Sequence, residues 1–191
     1  MSNLVVFTDG AFSSSRNTGG IGVVFVINGE KAYEFSKMIP NTTNNKCELL
    51  AVIYALNAVS RKIESLTIYS DSQYVIGCAT KGWKRKKNIG LWNLYDKVFA
   101  KASQFCSDIK FCWIKGHISN SDFFSEMNNL ADKLARESSY LIEWCKCNNI
   151  MLLILDYSLK ESDIIQNLAD RLAVEASQEY ETKKEQKQET Y

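Results

Sequence analysis

Several features that would assign this chain to a common class are missing from its sequence. No apolar run approaches the roughly 18 residues needed to cross a bilayer, so no membrane span is expected. The amino terminus has no basic stretch followed by a long apolar one, so no signal peptide is predicted. None of the six cysteines forms the CxxC pairs that are typical of zinc sites. We therefore expect an intracellular protein, cytoplasmic or nuclear and not secreted, with free thiols.

Charge is nearly balanced over the whole chain but is divided unevenly along it. The 191 residues include 23 Lys and Arg against 22 Asp and Glu. Residues 1–140 hold 17 basic against 12 acidic residues, a net charge of +5, whereas residues 141–191 hold 6 against 10, a net charge of −4. The basic part suits a polyanionic partner. The acidic end is not expected to contact nucleic acid.

The order of apolar segments predicts an α/β domain. Three strand-like runs, with a hairpin signal at Asn28-Gly29, form an antiparallel meander that ends at Pro40, the only proline. Asn44 and Asn45 are expected to cap the helix that follows. Further predicted segments are helices at about 44–60, 72–80, 91–105 and 127–139, and strands at about 65–69 and 109–114. The resulting order, βββαβααβα, favours a mixed sheet with helices on both faces.

Four acidic residues lie beside different apolar segments: Asp9, Glu48, Asp71 and Asp132. Each has a structural explanation when taken alone. Asp9 could close a strand in a turn, and Glu48 could lie on a solvated helix face. Asp71 could cap a helix, and Asp132 could stabilise the dipole of a helix's first turn. Taken together, clustered acids hold divalent cations, and two cations about 4 Å apart can promote phosphodiester hydrolysis.

The segments FTDGA, TTNNKCELLA, YSDSQYV and WIKGH…NNLADKLA occur in that order, and the chain resembles type 1 ribonuclease H over about residues 3–139. The resemblance implies a five-stranded mixed sheet, with its first three strands antiparallel, flanked by helices. It implies that two Mg²⁺ ions, with Mn²⁺ as a substitute, bind the four carboxylates. It further implies an endoribonuclease that cuts the RNA strand of RNA–DNA hybrids, leaves 5′-phosphate and 3′-hydroxyl ends, and removes primers or R-loops.

His117 is the only histidine of the chain. A lone histidine is more often structural, but this one matches the family's catalytic-loop histidine, which assists proton movement or product release. Fourteen residues separate it from Asp132, more than is usual in the family. Phe123 and Phe124 lie in this stretch and predict that part of it packs onto the domain.

Further residues are predicted to bind the substrate. Asparagine side chains can read 2′-hydroxyls, and the resemblance places Asn44 and Asn45 against RNA and Thr43 at a DNA phosphate. A glycine after Asp9 would leave room for a closely approaching substrate. Basic residues beside Trp83 suit a nucleic-acid backbone, although the longer helical protrusion of many family members is trimmed here. The competing explanation for the asparagines is helix capping, and for the basic residues it is a solvated charged loop. The predicted set is Gly10, Thr43, Asn44, Asn45, Gln73, Trp83, Lys84, Arg85, Lys86 and Lys87.

The carboxyl-terminal part contains a repeat. Residues 167–177 copy residues 129–139, and each copy follows a strand-like run, at 150–155 and 109–114. We interpret this as a duplicated strand–helix unit, so that a catalytic domain (1–140) precedes an extension (141–177). A polar tail (178–191) follows, and a fraying helix end or a disordered segment is expected there. Asp170 corresponds to Asp132, but its unit lacks the Lys-Gly-His sequence, so Asp132 is the predicted ligand. Residues 141–191 could bind a protein partner.

Two other functions remain open from the sequence. One is a different nuclease of the same superfamily, derived from a reverse transcriptase or specific for DNA structures. The other is a non-catalytic hybrid-binding protein. The TTNN sequence and the single histidine favour a hybrid substrate, and the presence of all four acids argues against a non-catalytic protein.

Overall fold

The structure, a computed structural model, describes residues 2–116 and 122–147. Nine elements follow one another in the order βββαβααβα. They are β1 (Asn3–Ser13), β2 (Thr18–Ile27), β3 (Glu30–Pro40), α1 (Asn44–Asn57), β4 (Ser65–Ser70), α2 (Gln73–Thr80), α3 (Ile89–Ala102), β5 (Asp108–Trp113) and α4 (Phe123–Cys147). The predicted element order is confirmed for these residues.

The five strands form one mixed sheet in the order β3-β2-β1-β4-β5. The first three strands are antiparallel neighbours, and β4 lies parallel to both β1 and β5. The hairpin between β2 and β3 turns at Asn28 and Gly29, both of which have positive φ, as a two-residue turn of this kind requires. The predicted fold class is therefore confirmed.

Alternation along the strands sends side chains to two faces of the sheet. On one face, Phe7 and Val24 join Met127 and Ala131 of α4 in a buried cluster. On the other face lies α1, whose apolar residues are almost entirely buried. The sheet is therefore covered on both sides, and its central strand β1 is held between two helices.

Helix α4 approaches β2 more closely than side chains on both elements would allow. A Cβ added to Gly22 would overlap the carbonyl oxygen of Ala131, and one added to Gly20 would overlap that of Ala135. Ser138 also donates a hydrogen bond from Oγ to the Lys37 carbonyl at 3.3 Å. The glycines of β2 thus set the height of α4 above the sheet.

Two helix starts differ from the prediction. The residue at the N-cap of α1 is Thr43, and its side chain makes no capping hydrogen bond. Asn44 and Asn45 therefore lie inside the first turn, and the prediction that they cap the helix is wrong. Helix α4 begins four residues earlier than expected because Asp122 accepts hydrogen bonds from the Ser125 amide (3.0 Å) and hydroxyl (2.7 Å).

Other expectations can be compared with the described residues only. Cys47, Cys78, Cys106 and Cys112 are free thiols. Within the described ranges, no helix combines the length and apolar character that a membrane crossing requires. Residues 141–147 continue α4. The repeated segment at 150–177, including Asp170, and the tail at 178–191 lie outside the described residues, so the proposed division of the chain stays a prediction.

Candidate active site

Three of the four predicted carboxylates meet where β1, β4 and α1 converge. Asp9 follows Thr8, which is paired with Ser70 in the parallel ladder, so Asp9 in β1 lies beside Asp71, the residue directly after β4. Helix α1 brings Glu48 to the same place. One carboxylate oxygen from each acid lies within 4.8 Å of the others. Such a set of hard oxygen atoms suits a divalent cation.

Gly10 allows α1 to come this close to β1. A Cβ at this position would overlap the backbone nitrogen of Glu48. The glycine was expected to leave room for a substrate, but the group that actually approaches it is the backbone of α1. Its amide also donates a 2.8 Å hydrogen bond to Asp9 Oδ1. Gly10 therefore contributes to the site by bringing Glu48 against Asp9.

Asp132 reaches the cluster from the opposite face of the sheet. Because α4 begins at Phe123, Asp132 lies in the third turn of the helix and not in the first, so the helix-dipole explanation is wrong. Asp132 lies close enough to Asp9 that it contributes to the raised pKa of Asp9. Arg136, one turn further on, donates a hydrogen bond to Asp132 Oδ2. The structure thus places the fourth predicted carboxylate beside Asp9, next to the cluster of the other three.

The other single-residue explanations also fail against the geometry. Asp9 lies inside β1 and is 6% exposed, so it does not close a strand in a turn. Glu48 is likewise 6% exposed and does not lie on a solvated helix face. The N-cap of α2 is Ser72, whose hydroxyl accepts the Val75 amide hydrogen, so Asp71 is not the cap.

Packing these acids together makes their ionisation costly. Burial and the neighbouring charge of Asp71 raise the pKa of Asp9 from 3.8 to about 8. Burial, followed by the charges of Asp9 and Asp71, raises the pKa of Glu48 well above its ordinary value. Divalent cations would remove this repulsion, because they neutralise the charged forms that burial disfavours.

One buried oxygen atom is a further sign that the cluster accommodates a cation. Glu48 Oε1 accepts a 3.3 Å hydrogen bond from Asn44 Nδ2. Its Oε2 atom is buried and has no hydrogen-bond partner among the described residues. A buried acceptor without a partner is costly, and a metal ion is one group that satisfies it. The donor set therefore fits the divalent ions expected from the sequence.

The predicted substrate-binding residues lie on three segments: the start of α1, the start of α2 and the loop that follows α2. Thr43, Asn44 and Asn45 are exposed at the start of α1, about one turn before Glu48. Gln73 is exposed at the start of α2 and lines a shallow cavity with Trp83, which is 49% exposed. Of the basic residues, Lys84, Lys86 and Lys87 are exposed, whereas Arg85 is partly buried and paired with Asp96.

Two residues that support Asp71 were missed from the sequence. Trp113 Nε1 donates a 3.0 Å hydrogen bond to the Asp71 carbonyl. Gly116 lies so close to Asp71 that an added Cβ would overlap Oδ2. Trp113 ends β5 and Gly116 follows it, and the parallel β4–β5 pair places that end beside Asp71. Predicting this pairing from the sequence would have identified both residues. His117, the next residue, lies outside the described residues, so its role stays a prediction.

Comparison with known proteins agrees with this geometry. The family model described as RNase H matches residues 1–140. A ribonuclease H from Syntrophus aciditrophicus is 34% identical over 145 residues, which cover 71% of this chain and 80% of that protein. A ribonuclease H from Trichodesmium erythraeum is 33% identical over 150 residues, covering 73% and 90%. That from Agrobacterium fabrum is 37% identical over 150 residues, covering 72% and 94%.

Solved structures show the same fold. LC11-RNase H1, determined in complex with an RNA/DNA hybrid, has a TM-score of 0.60 at 24% identity over 74% of this chain and 99% of that one. The RNase H domain of PFV, determined in solution, has a TM-score of 0.60 at 26% identity and covers 74% and 96%. With the family model matching 140 of 191 residues, this chain belongs to the ribonuclease H family and is a ribonuclease H enzyme.

Proposed function

We propose that this ribonuclease H cuts the RNA strand of RNA–DNA hybrids with two divalent cations held by Asp9, Glu48, Asp71 and Asp132. The observation that carries the proposal is the convergence of these carboxylates around a buried, unpartnered Glu48 oxygen. The products would carry 5′-phosphate and 3′-hydroxyl ends. Removal of primers or R-loops is the cellular role that this chemistry would serve.

The side chains of the cluster have different proposed roles in holding the cations. Asp9 and Glu48 are the most deeply buried acids and would hold the cations from below, since they are rigidly placed by β1 and α1. Asp71 is supplied from the end of β4 and Asp132 from α4, where the hydrogen bond from Arg136 orients it. When bound, Mg²⁺ or Mn²⁺ would supply an activated water and stabilise the leaving 3′ oxygen.

Selection of the RNA strand is proposed for the exposed residues at the start of α1. Asn44 lies one helical turn from Glu48 and is hydrogen-bonded to it, so a nucleotide contacting Asn44 would lie beside the carboxylates. Amide side chains both donate to and accept from 2′-hydroxyls, which distinguish RNA from DNA. The complex of LC11-RNase H1 with an RNA/DNA hybrid supports a hybrid as substrate.

A cleavage panel tests this function. The intact chain is incubated with an RNA–DNA hybrid, double-stranded RNA or duplex DNA, each with and without Mg²⁺, and the product ends are identified. We expect cleavage of the RNA strand of the hybrid alone, only with the metal, and with 5′-phosphate ends. Equal cleavage of duplex DNA would instead indicate a nuclease of different specificity, and metal-independent cleavage would contradict the role of the carboxylates.

A further inference from the structure

The loop between α2 and α3 contains two kinds of basic residue. This basic loop comprises residues 81–88, and its sequence is KGWKRKKN. Its four lysines, at positions 81, 84, 86 and 87, are exposed and make no ion pair among the described residues. Arg85 differs, because its side chain is only 29% exposed and points toward α3. The composition of the loop does not separate these roles, but the structure does.

Arg85 is held by three side chains of α3. Its Nη1 atom donates to both carboxylate oxygens of Asp96, each at 2.8 Å. Its Cζ atom lies 4.2 Å from the ring centre of Trp92 and 5.3 Å from that of Tyr95. Both rings are buried. A guanidinium that stacks on aromatic rings while it donates to a carboxylate makes contacts that lysine cannot reproduce.

Further contacts attach the same loop to α2. Trp92 Nε1 donates a 2.9 Å hydrogen bond to the Tyr74 hydroxyl, which in turn donates to the Lys87 carbonyl at 3.3 Å. The Trp83 amide donates to the Gly77 carbonyl at 3.2 Å, and its ring lies where a side chain on Gly77 would overlap it. The loop is therefore fixed on both sides of Arg85.

We propose that Arg85 is a positioning residue, which holds the basic loop on α3 through Asp96 and Trp92 so that Lys84, Lys86 and Lys87 face the phosphates of the hybrid. This inference rests on the proposed hybrid substrate. Ordering the loop before binding lowers the entropy lost when the lysines engage the phosphates. The lysines then make the salt-sensitive contacts, and Arg85 acts through them.

The opposite interpretation is that Arg85 itself contacts a phosphate. In that case Asp96 competes with the substrate for the guanidinium, and removing the carboxylate should tighten hybrid binding. If Arg85 is a positioning residue, removing the same carboxylate releases the loop and weakens binding. Asp96→Asn therefore shifts the Kd in opposite directions under the two interpretations.

The matched control is Asp108→Asn. Asp108 is about half exposed, forms an ion pair with Lys110, and lies at the start of β5, at the end of the sheet opposite the carboxylate cluster. The two substitutions remove the same charge from carboxylates of similar exposure, 56% for Asp96 and 48% for Asp108. Any general gain of affinity for a polyanion therefore appears in both variants.

The experiment measures the Kd of an RNA–DNA hybrid without divalent cations at several salt concentrations, and kcat and KM with Mg²⁺. We expect Asp96→Asn and Arg85→Lys each to weaken binding about fivefold, the size of one partly exposed ion pair. The double variant should be no worse than either single one. KM should rise while kcat and the salt dependence of the Kd stay unchanged, and Asp108→Asn should bind as the unsubstituted protein does.

Hydrogen exchange of the loop amides provides a readout that needs no nucleic acid. Exchange over residues 81–88 should be faster in Asp96→Asn than in Asp108→Asn. Tighter or unchanged hybrid binding by Asp96→Asn, or unchanged exchange, would overturn the positioning role. Failure of the unsubstituted protein to bind hybrid would instead refute the proposed substrate, and the exchange comparison would still decide whether Arg85 fixes the loop.

Discussion

Glu48 and its neighbour Asp9 show how single residues give this protein its chemistry. Both are carboxyl groups with 6% exposure, and burial raises the pKa of each. A protein that gains nothing from such a pair would lose stability by keeping it, because buried like charges repel each other. We infer that the cluster is maintained for the cations it binds and that it destabilises the metal-free protein.

The variant Asp9→Asn tests whether the buried carboxyl group destabilises the metal-free protein. Because the pKa of Asp9 is about 8 in the folded protein and near 3.8 otherwise, folding favours its protonated form. This contribution to stability is complete below pH 4 and is lost as the pH rises toward 8. The metal-free variant should therefore be more stable than the unsubstituted protein at pH 8, by at least about 1.4 kcal/mol, the free energy of one pKa unit.

Denaturant unfolding in the presence of a chelator, at pH 5 and pH 8, measures this difference. The advantage of Asp9→Asn should grow with pH and shrink when Mg²⁺ is added, since the ion stabilises only the intact cluster. Asp108→Asn serves as the exposed control. If the difference in unfolding free energy between Asp9→Asn and the unsubstituted protein were equal at both pH values, ionisation of Asp9 would not destabilise the folded protein.

Single residues also show where sequence reasoning reaches its limit. The four acids could be identified because each stands in a motif, and the resemblance to ribonuclease H implied that they share one metal site. The role of Arg85 could not, because it depends on Asp96 and Trp92, which meet it only in the folded chain. Gly10 was correctly singled out, but the α1 backbone that approaches it was not foreseen.

Among the elements, α4 differs most from its prediction. The stretch up to Phe124 was interpreted as a loop and the helix was predicted from about residue 127, yet Asp122 caps a helix that begins at Phe123. Phe124 packs edge-on against Phe7 and Tyr69. Aromatic residues are only moderate helix formers, and here tertiary packing decides the start of the helix. Strand β2, by contrast, was predicted well because its β-branched run and its Asn-Gly turn are both local signals.

The packing of α4 on β2 predicts a functional effect of Gly22→Ala. The added methyl group would overlap the Ala131 carbonyl and push α4, with Asp132, away from Asp9. We expect a loss of about 2 kcal/mol in unfolding free energy, typical of overpacking, together with a lower kcat. Urea unfolding and hybrid cleavage kinetics measure the two effects.

Ser36→Ala is a suitable control for this prediction. Ser36 is paired with Gly22 in the neighbouring strand and is exposed, so removing its hydroxyl alters the same position of the sheet without adding a group beneath α4. It should leave stability and kcat unchanged. If Gly22→Ala lowered stability but left kcat intact, the height of α4 would not determine how Asp132 is placed.

For the molecule as a whole, the sheet collects residues that are far apart in the sequence into one acidic centre within a basic domain. Residues 1–140 carry a net charge of +5 even with the four acids included. The polyanion would thus be attracted by the surrounding surface, while the acids themselves require cations. The contrast between the basic net charge and the four acids could be predicted from the sequence, because it depends on composition. The order of the elements could also be predicted, because it depends on hydrophobic periodicity.

The most direct test of the four-carboxylate site is Mg²⁺-dependent hybrid cleavage by the intact chain and by four variants: Asp71→Asn, Asp132→Asn, Asp170→Asn and Asp108→Asn. We predict that the first two abolish cleavage, because each removes a proposed cation ligand, and that the last two retain it. Folding of every variant is checked by thermal unfolding. An active Asp132→Asn beside an inactive Asp170→Asn would contradict the account, since the repeated unit would then supply the fourth carboxylate.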